Sequence, residues 1–187
     1  MPTISKEDYL KTIYNQKHER GGVVSTSQLA NILEVSNAAT SEMAKKLSIE
    51  GYVQYQKYKG LELTSDGEKV ALEVIRRHRL WELFLMRVLN LSWSEVHDEA
   101  EHLEHNTTEF LINKIDEYLG NPHFDPHGSP IPDKNGAMPA QPILLQLNQC
   151  ELNRYYILAR VADENSELVN YFTKIGLMIN SKIMIKQ

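Results

Sequence analysis

The chain has 187 residues, of which 42% are hydrophobic and 24% are charged. This composition is that of an ordinary globular protein, and it excludes collagen-like, coiled-coil and largely disordered chains. No apolar run approaches the roughly 18 residues needed to cross a bilayer, and residues 1–14 lack the apolar core of a signal peptide. Cys150 is the single cysteine, which excludes an intramolecular disulfide and a cysteine-rich zinc site. We expect a cytoplasmic protein.

Charge is distributed unevenly along the chain, although the formal net charge is only −5. Residues 1–64 carry 8 Lys/Arg and 7 Asp/Glu, whereas residues 65–120 carry 6 and 12. Four of the 7 histidines also lie in this acidic middle part: His78, His97, His102 and His105. Carboxylates and imidazoles together indicate a cation site there, while the N-terminal part remains free to meet phosphates.

The N-terminal pattern predicts three short helices. Ser5 and Ser25 each begin a capping-box pattern, and Ser36 can cap the third helix, which Gly51 ends. The second and third helices are joined by a short turn, as in a helix-turn-helix motif. We expect the buried stripe of the third helix to consist of Ala39, Met43, Ala44 and Leu47.

Two short strands, residues 52–57 and 61–64, are predicted to form a hairpin around Lys59 and Gly60. A helix-turn-helix followed by a hairpin is a winged helix, which we assign to residues 1–64. Helical periodicity continues over residues 65–89 and 94–119, and residues 120–142, rich in proline and glycine, form an ordered loop or linker. We therefore expect a helical second domain over residues 65–142.

The C-terminal pattern is partly β. Residues 143–147, 155–161 and 182–185 are predicted strands, and residues 168–175 are a predicted short helix. A domain over residues 143–187 is near the lower size limit for independent folding. The predicted fold class is mainly α, with a winged helix first and a small partly β segment last.

Ligand-type side chains recur at helical spacing in the middle of the chain. At about 100° per residue, four of them share an arc of roughly 100° on one helix face, and His102 lies outside it. These four are His97, Glu101, Glu104 and His105. One helix earlier, His78 and Glu82 form a pair four residues apart.

Oxygen and nitrogen donors without a thiolate suit Mn²⁺, Fe²⁺ or Zn²⁺, and abundant carboxylates favour the first two. The alternative is a solvated acidic helix face with incidental histidines. Asp8 is either a helix cap or a further ligand. His123 and His127, in the proline-rich loop, are interpreted as structural or solvent-exposed side chains.

The third helix and the wing form the predicted DNA-binding surface, because the N-terminal end of such a helix reads bases in the major groove. Small and hydroxylated residues allow close approach, and lysines neutralise phosphates. Tyr55 and Tyr58 lie beside the wing lysines. The candidate contact residues are Thr26, Ser27, Ser36, Asn37, Ala39, Ser41, Lys45, Lys46, Lys57 and Lys59. Helix-turn-helix shapes also occur in proteins that do not bind DNA.

Several sequence runs together resemble the diphtheria toxin repressor family of metal-activated transcriptional repressors. The resemblance covers almost the whole chain, in the family's order. The matching runs are residues 7–14, 59–67, 77–82, 96–105 and 126–132. It implies a winged helix, a helical dimerisation and metal-binding domain, and a small SH3-like barrel.

The resemblance also implies two metal sites. One would use Asp8 on the first helix with Glu101, Glu104 and His105. The other would use His78, Glu82 and His97, completed in iron-regulated members by the barrel. Asp8 and Glu101 stand where iron-type members have Met and Cys, as in the manganese-responsive branch.

Two departures from the family pattern bear on the sites. Lys11 stands where short manganese-type members carry a second acid, which favours two separate sites over a two-metal cluster. The C-terminal segment matches only the first part of the barrel, so we expect a reduced or incomplete domain. Glu164 and Glu167 are the candidate ligands there.

The resulting hypothesis is a homodimeric, Mn²⁺-activated repressor of metal-uptake genes, bound to a palindromic double-stranded operator. Fe²⁺ is the alternative activator, and we expect neither a membrane nor a small organic substrate as partner. A carboxylate-bridged di-metal enzyme is a weaker alternative, since Glu99-x-x-His102 supplies one of the two motifs it needs. A DNA-binding protein with a purely structural metal is another.

Overall fold

The structure, a computed structural model, describes residues 5–57, 59–162 and 166–186. The predictions for Tyr58 and Glu164 concern residues outside this part of the chain. The described residues form seven α-helices and two two-stranded antiparallel sheets, which confirms the mainly α fold class. The chain divides into two compact units, Met1–Ile75 and Arg76–Gln187. The three-domain division stays a prediction.

The first unit begins with three helices, α1 (Lys6–Arg20), α2 (Thr26–Ile32) and α3 (Asn37–Ile49). Ser5 and Ser25 each form a complete capping box, and the Ser36 side chain accepts from the backbone of Ala39. These hydroxyl oxygens satisfy backbone N–H groups that lack a partner inside the helix. The three helices therefore start where the sequence predicts.

The wing consists of β1 (Val53–Gln56) and β2 (Gly60–Leu63), paired antiparallel with Val53 opposite Leu63. Val24 adds an isolated bridge to Leu61 on the other side of β2. A helix-turn-helix with this hairpin is a winged helix, as predicted. Its apolar core includes Tyr9, Leu10, Ile13, Val24, Leu29, Ala44, Leu47, Val53 and Leu61.

The buried stripe of α3 differs from the prediction. Thr40, Ala44 and Leu47 are buried, whereas Ala39 is exposed and Met43 is half-buried. The Thr40 hydroxyl donates to the Ser36 carbonyl at 3.2 Å, so its polar group is satisfied inside the unit. This bond lets a threonine take the buried position that the pattern gave to Ala39.

Three helices follow: α4 (Ser65–Leu89), α5 (Val96–Glu104) and α6 (Glu109–Leu119). The prediction of one helix over residues 94–119 is wrong, because the helix is interrupted between α5 and α6. The Thr107 hydroxyl donates to the Leu103 carbonyl and accepts from the Trp81 indole, both at 2.7 Å. Thr108 then caps α6 by accepting from the backbone of Leu111. Two adjacent threonines thus end one helix and start the next.

The core of the second unit lies between α4, α6 and the proline-rich loop. Leu80, Leu83, Ile112, Ile115 and Ile131 are buried together there. The Arg79 guanidinium donates to the carbonyl of Pro130, which ties the loop to α4. The loop is therefore an ordered part of this unit rather than a loose linker.

The C-terminal residues form β3 (Tyr155–Ile157), α7 (Ser166–Lys174) and β4 (Lys182–Met184). β3 pairs antiparallel with β4, and Val161 and Val169 pack against Trp93. The predicted strand over residues 143–147 is wrong: residues 143–146 are irregular, and a 3₁₀ turn begins at Leu147 and ends at Gln149. Ile143 is 97% exposed, so no neighbouring residue in the described part of the chain packs against it. An apolar run of this kind forms a strand only where its side chains can pack against neighbours.

Among the described residues, none of the helices has both the length and the apolar character that a membrane crossing requires.

Candidate metal centre and nucleic-acid interface

Glu82 of α4 is fully buried in the second unit and faces three imidazoles. Its Oε1 lies 3.1 Å from His78 Nε2 and 3.3 Å from His97 Nδ1, and its Oε2 lies 3.4 Å from His127 Nδ1. Burial by itself raises the pKa of Glu82, but the charge of His78 and hydrogen bonds from the three histidines outweigh it. The pKa of Glu82 is therefore held well below its usual range.

A second carboxylate, Glu104 of α5, is also fully buried. Its Oε2 lies 2.6 Å from His78 Nδ1, and its Oε1 lies 3.3 Å from His105 Nε2. Glu101 Oε1 is 3.6 Å from the same His78 nitrogen. His78 therefore adjoins both of the ligand sets that the sequence suggests as separate sites.

The helical face predicted for α5 is present in the structure. Glu101, Glu104 and His105 each offer a ligand atom, and these atoms lie within 4.8 Å of one another. His105 is the C-cap of α5 and keeps helical backbone angles, so the face continues through it. His78, His97 and Glu101 form another group by the same distance criterion.

A third group was missed by sequence reasoning. Glu82, Asp125 and His127 are all buried and offer ligand atoms within 4.8 Å of one another. Asp125 Oδ1 accepts from the backbone of His127 and of Ser129, each at 2.8 Å. The signal was an aspartate and a histidine two residues apart in a loop shaped by Pro126 and Gly128.

Carboxylate oxygens and imidazole nitrogens at these separations fit a divalent cation of the Mn²⁺, Fe²⁺ or Zn²⁺ type. The burial of Glu82 and Glu104 supports this fit, because buried carboxyl groups are costly unless partners such as imidazoles or a cation stabilise them. The structure therefore presents a candidate metal centre in the second unit.

The remaining predicted candidates lie elsewhere. His102 is exposed and donates through Nδ1 to the Asp98 carbonyl of its own helix at 2.6 Å, and Glu99 is also exposed. His123 and Glu167 are exposed as well. Asp8, in the first unit, accepts from the Ser5 backbone at 2.6 Å, so its capping role is present.

The predicted DNA-binding residues lie on α2, α3 and the wing of the first unit. Thr26 and Ser41 are half-buried, and all the others are exposed. The Ser41 hydroxyl donates to the Asn37 carbonyl at 2.8 Å, while Ser36 caps α3. Lys57 and Lys59 flank the tip of the wing. A neutral helix start with lysines on the same unit suits a DNA duplex.

Fold and site together define a class: a winged-helix protein that also carries a candidate divalent-metal centre. Comparison with protein families agrees. The model "Iron dependent repressor, N-terminal DNA binding domain" matches residues 1–61. The model "Iron dependent repressor, metal binding and dimerisation domain" matches residues 64–133. The chain belongs to this family of iron-dependent repressors, which confirms the resemblance seen in the sequence.

Some relatives are named for iron and others for manganese. The iron-dependent repressor IdeR of Mycobacterium leprae is 36% identical over 126 residues, which are 67% of this chain and 54% of that protein. The chain therefore spans about half the length of the curated relatives it matches. A manganese-dependent transcriptional repressor in complex with manganese is 38% identical with a TM-score of 0.90, over 98% of this chain and 84% of the other.

A further solved structure, ScaR with bound Cd²⁺, is 35% identical with a TM-score of 0.83. The match covers 97% of this chain and 84% of that chain. The family is one of repressors, so the di-metal enzyme alternative has no support from relatives, and both residues of its motif are exposed.

Proposed function

We propose that this protein is a homodimeric, Mn²⁺-activated transcriptional repressor of metal-uptake genes that acts in the cytoplasm. The observation that carries the proposal is the buried set of carboxylates and imidazoles in a chain that also carries a winged helix. Fe²⁺ is the alternative activator, because relatives are named for iron as well as for manganese.

The regulatory site would consist of Asp8 together with Glu101, Glu104 and His105. Asp8 belongs to α1 of the DNA-binding unit, and the other three belong to α5 of the second unit. At such a site, Mn²⁺ would supply the positive charge that these carboxylates need. His78 and His105 hold Glu104 in place, and the backbone N–H of Ser5 donates to Asp8.

The second site would use His78, Glu82 and His97, to which the geometry adds Asp125 and His127. Its described ligands all belong to the second unit. We infer that this site stabilises the second unit, whereas the site with Asp8 regulates DNA binding.

Linkage makes the effects of metal and operator on each other's binding reciprocal. If the Mn²⁺-bound arrangement binds the operator more tightly, operator binding must tighten Mn²⁺ binding by the same factor. Asn37 and Ser41 at the start of α3 would contact bases, and Lys45, Lys57 and Lys59 would contact phosphates. In a dimer, two copies of α3 would enter successive major grooves about 34 Å apart.

Dimerisation is supported by an exposed apolar face on α6. Phe110 and Tyr118 are 73% and 70% exposed, and Leu111 is also exposed. Aromatic side chains of this kind are enriched in protein interfaces. We expect Phe110→Asp to convert the dimer to a monomer in light-scattering chromatography. Ile143→Asp, at an exposed site outside α6, should leave it dimeric.

The test of the proposal is operator selection from a random DNA pool, followed by gel-shift titration of chelator-treated protein with Mn²⁺, Fe²⁺ or Zn²⁺. We expect operator affinity to rise with Mn²⁺ and to fall steeply with salt, because lysine–phosphate contacts release counterions. Equal affinity with and without metal would refute the activation and favour a structural metal.

A further inference from the structure

His127 is held in one orientation by the main chain around it. The side chain is 1% exposed, and its Nε2 lies 3.1 Å from the carbonyl oxygen of Trp93. A carbonyl oxygen can only accept, so Nε2 carries the hydrogen. The other ring nitrogen, Nδ1, faces Glu82 Oε2 at 3.4 Å. A carboxylate oxygen and an imidazole nitrogen at this separation are a donor pair that a divalent cation can share.

Trp93 contacts the same turn in two further ways. Its ring stacks on the His127 ring, with centroids 5.3 Å apart and planes at 16°. Its indole Nε1 donates to the carbonyl of Pro126 at 3.1 Å. The residue therefore fixes both the plane of the imidazole and the backbone that precedes it.

The C-terminal segment, residues 158–161, closes the other side of the turn. The Val161 N–H donates to the His127 carbonyl at 3.0 Å. Gly128 has a φ of +84° and packs so tightly that a Cβ at this position would collide with the carbonyl oxygen of Ala159. Val161 is itself buried with Trp93 and Val169. The turn is thus clamped between Trp93 and this segment.

We propose that Trp93 and residues 158–161 are positioning elements for His127, which set the affinity of the second metal site through backbone contacts. This inference rests on the proposed function, since it requires that Glu82 and His127 bind a divalent cation. Groups that orient a ligand histidine in this way typically change metal affinity by about 10- to 100-fold. The C-terminal segment would then adjust metal binding by docking on the turn.

A matched pair of glycine variants tests the clamp. Gly128→Ala and Gly120→Ala both place a side chain at positive φ, +84° and +80°, but nothing lies within 4 Å of a Cβ at Gly120. Bound Mn²⁺ is counted from the electron paramagnetic resonance signal of free Mn²⁺. We expect Gly128→Ala to lose about 10- to 100-fold in affinity at one site and to keep the other. Gly120→Ala should keep both.

If Gly128→Ala does not fold, Trp93→Phe tests the positioning role instead. It retains the carbonyl and the ring stacking but removes the indole N–H, so we expect a smaller loss at the same site. The ¹⁵N shifts of His127 in metal-free protein at about pH 8 should report a hydrogen on Nε2.

Two results would overturn the positioning role: Mn²⁺ binding by Gly128→Ala equal to that of Gly120→Ala, or a His127 Nε2 that carries no hydrogen. Wild-type protein that binds no Mn²⁺ at all would instead overturn the proposed function.

Discussion

The ligand cluster of the second unit and the recognition surface of the first are organised in opposite ways. Glu82 and Glu104 are fully buried and contact histidines from other elements or other turns. On α3, by contrast, Asn37 and Lys45 are exposed, and Ser41 bonds to its own helix. The candidate metal ligands are thus held in place by the fold, whereas the predicted DNA contacts would be completed only by a bound duplex. Substitutions in the ligand cluster should therefore lower the stability of the fold, and substitutions on the recognition surface should weaken DNA binding.

The largest effect should come from Glu82→Ala, measured in chelator. Removing one partner of a buried charged network leaves the histidines without their carboxylate and should lower the free energy of unfolding by about 3 kcal/mol. Lys57 on the wing is exposed, so Lys57→Ala should change the free energy of unfolding by no more than about 0.5 kcal/mol. Urea denaturation measures both. Equal midpoints would mean that the cluster contributes nothing to the metal-free fold.

A change of donor type tests the cluster's chemistry. Asp8→Met with Glu101→Cys replaces two hard oxygen donors by softer sulfur donors, so activation should move from Mn²⁺ towards Fe²⁺ or Co²⁺. We expect the ratio of half-activating concentrations to change on the order of tenfold, which corresponds to about 1.4 kcal/mol. Glu99→Cys, on the exposed side of α5, is the matched control and should change nothing. An unaltered metal preference in the double variant would show that these two positions do not determine it.

The recognition surface is tested by DNA binding rather than by stability. Asn37→Ala with Ser41→Ala should lower the preference for operator over random DNA by about 1–3 kcal/mol per lost base contact. Lys57→Ala should weaken binding to both DNAs equally and reduce the salt slope by about 1. Competition gel shifts at two salt concentrations separate these effects. Intact discrimination in the Asn37 and Ser41 variant would mean that other residues of α3 read the bases.

The sequence was sufficient where local chemistry decides the structure. Ser5, Ser25 and Ser36 cap helices as predicted, and the wing turns where the hairpin pattern places it. The α5 ligand face also followed from helical spacing alone, because Glu101, Glu104 and His105 lie within one turn.

Prediction failed where tertiary contacts decide. The break between α5 and α6 depends on the Trp81 indole, which bonds to Thr107 from another helix. His127 had no periodic pattern to identify it, because its partners Glu82 and Trp93 are 45 and 34 positions away in the chain. Such a site becomes visible only when the loop is folded onto α4.

The central claim is that Asp8 couples metal binding to DNA binding, and one pair of variants tests it directly. Asp8→Ala and Ser5→Ala each remove one half of the same capping box, at a similar cost to α1 of about 1 kcal/mol. Only Asp8→Ala removes the proposed ligand. Operator affinity is measured across a Mn²⁺ titration, with circular dichroism as the folding control. We predict that Ser5→Ala responds to Mn²⁺ like the wild type, while folded Asp8→Ala stays at the metal-free affinity. An Asp8→Ala protein that responds like Ser5→Ala would contradict the account and leave Asp8 as a helix cap.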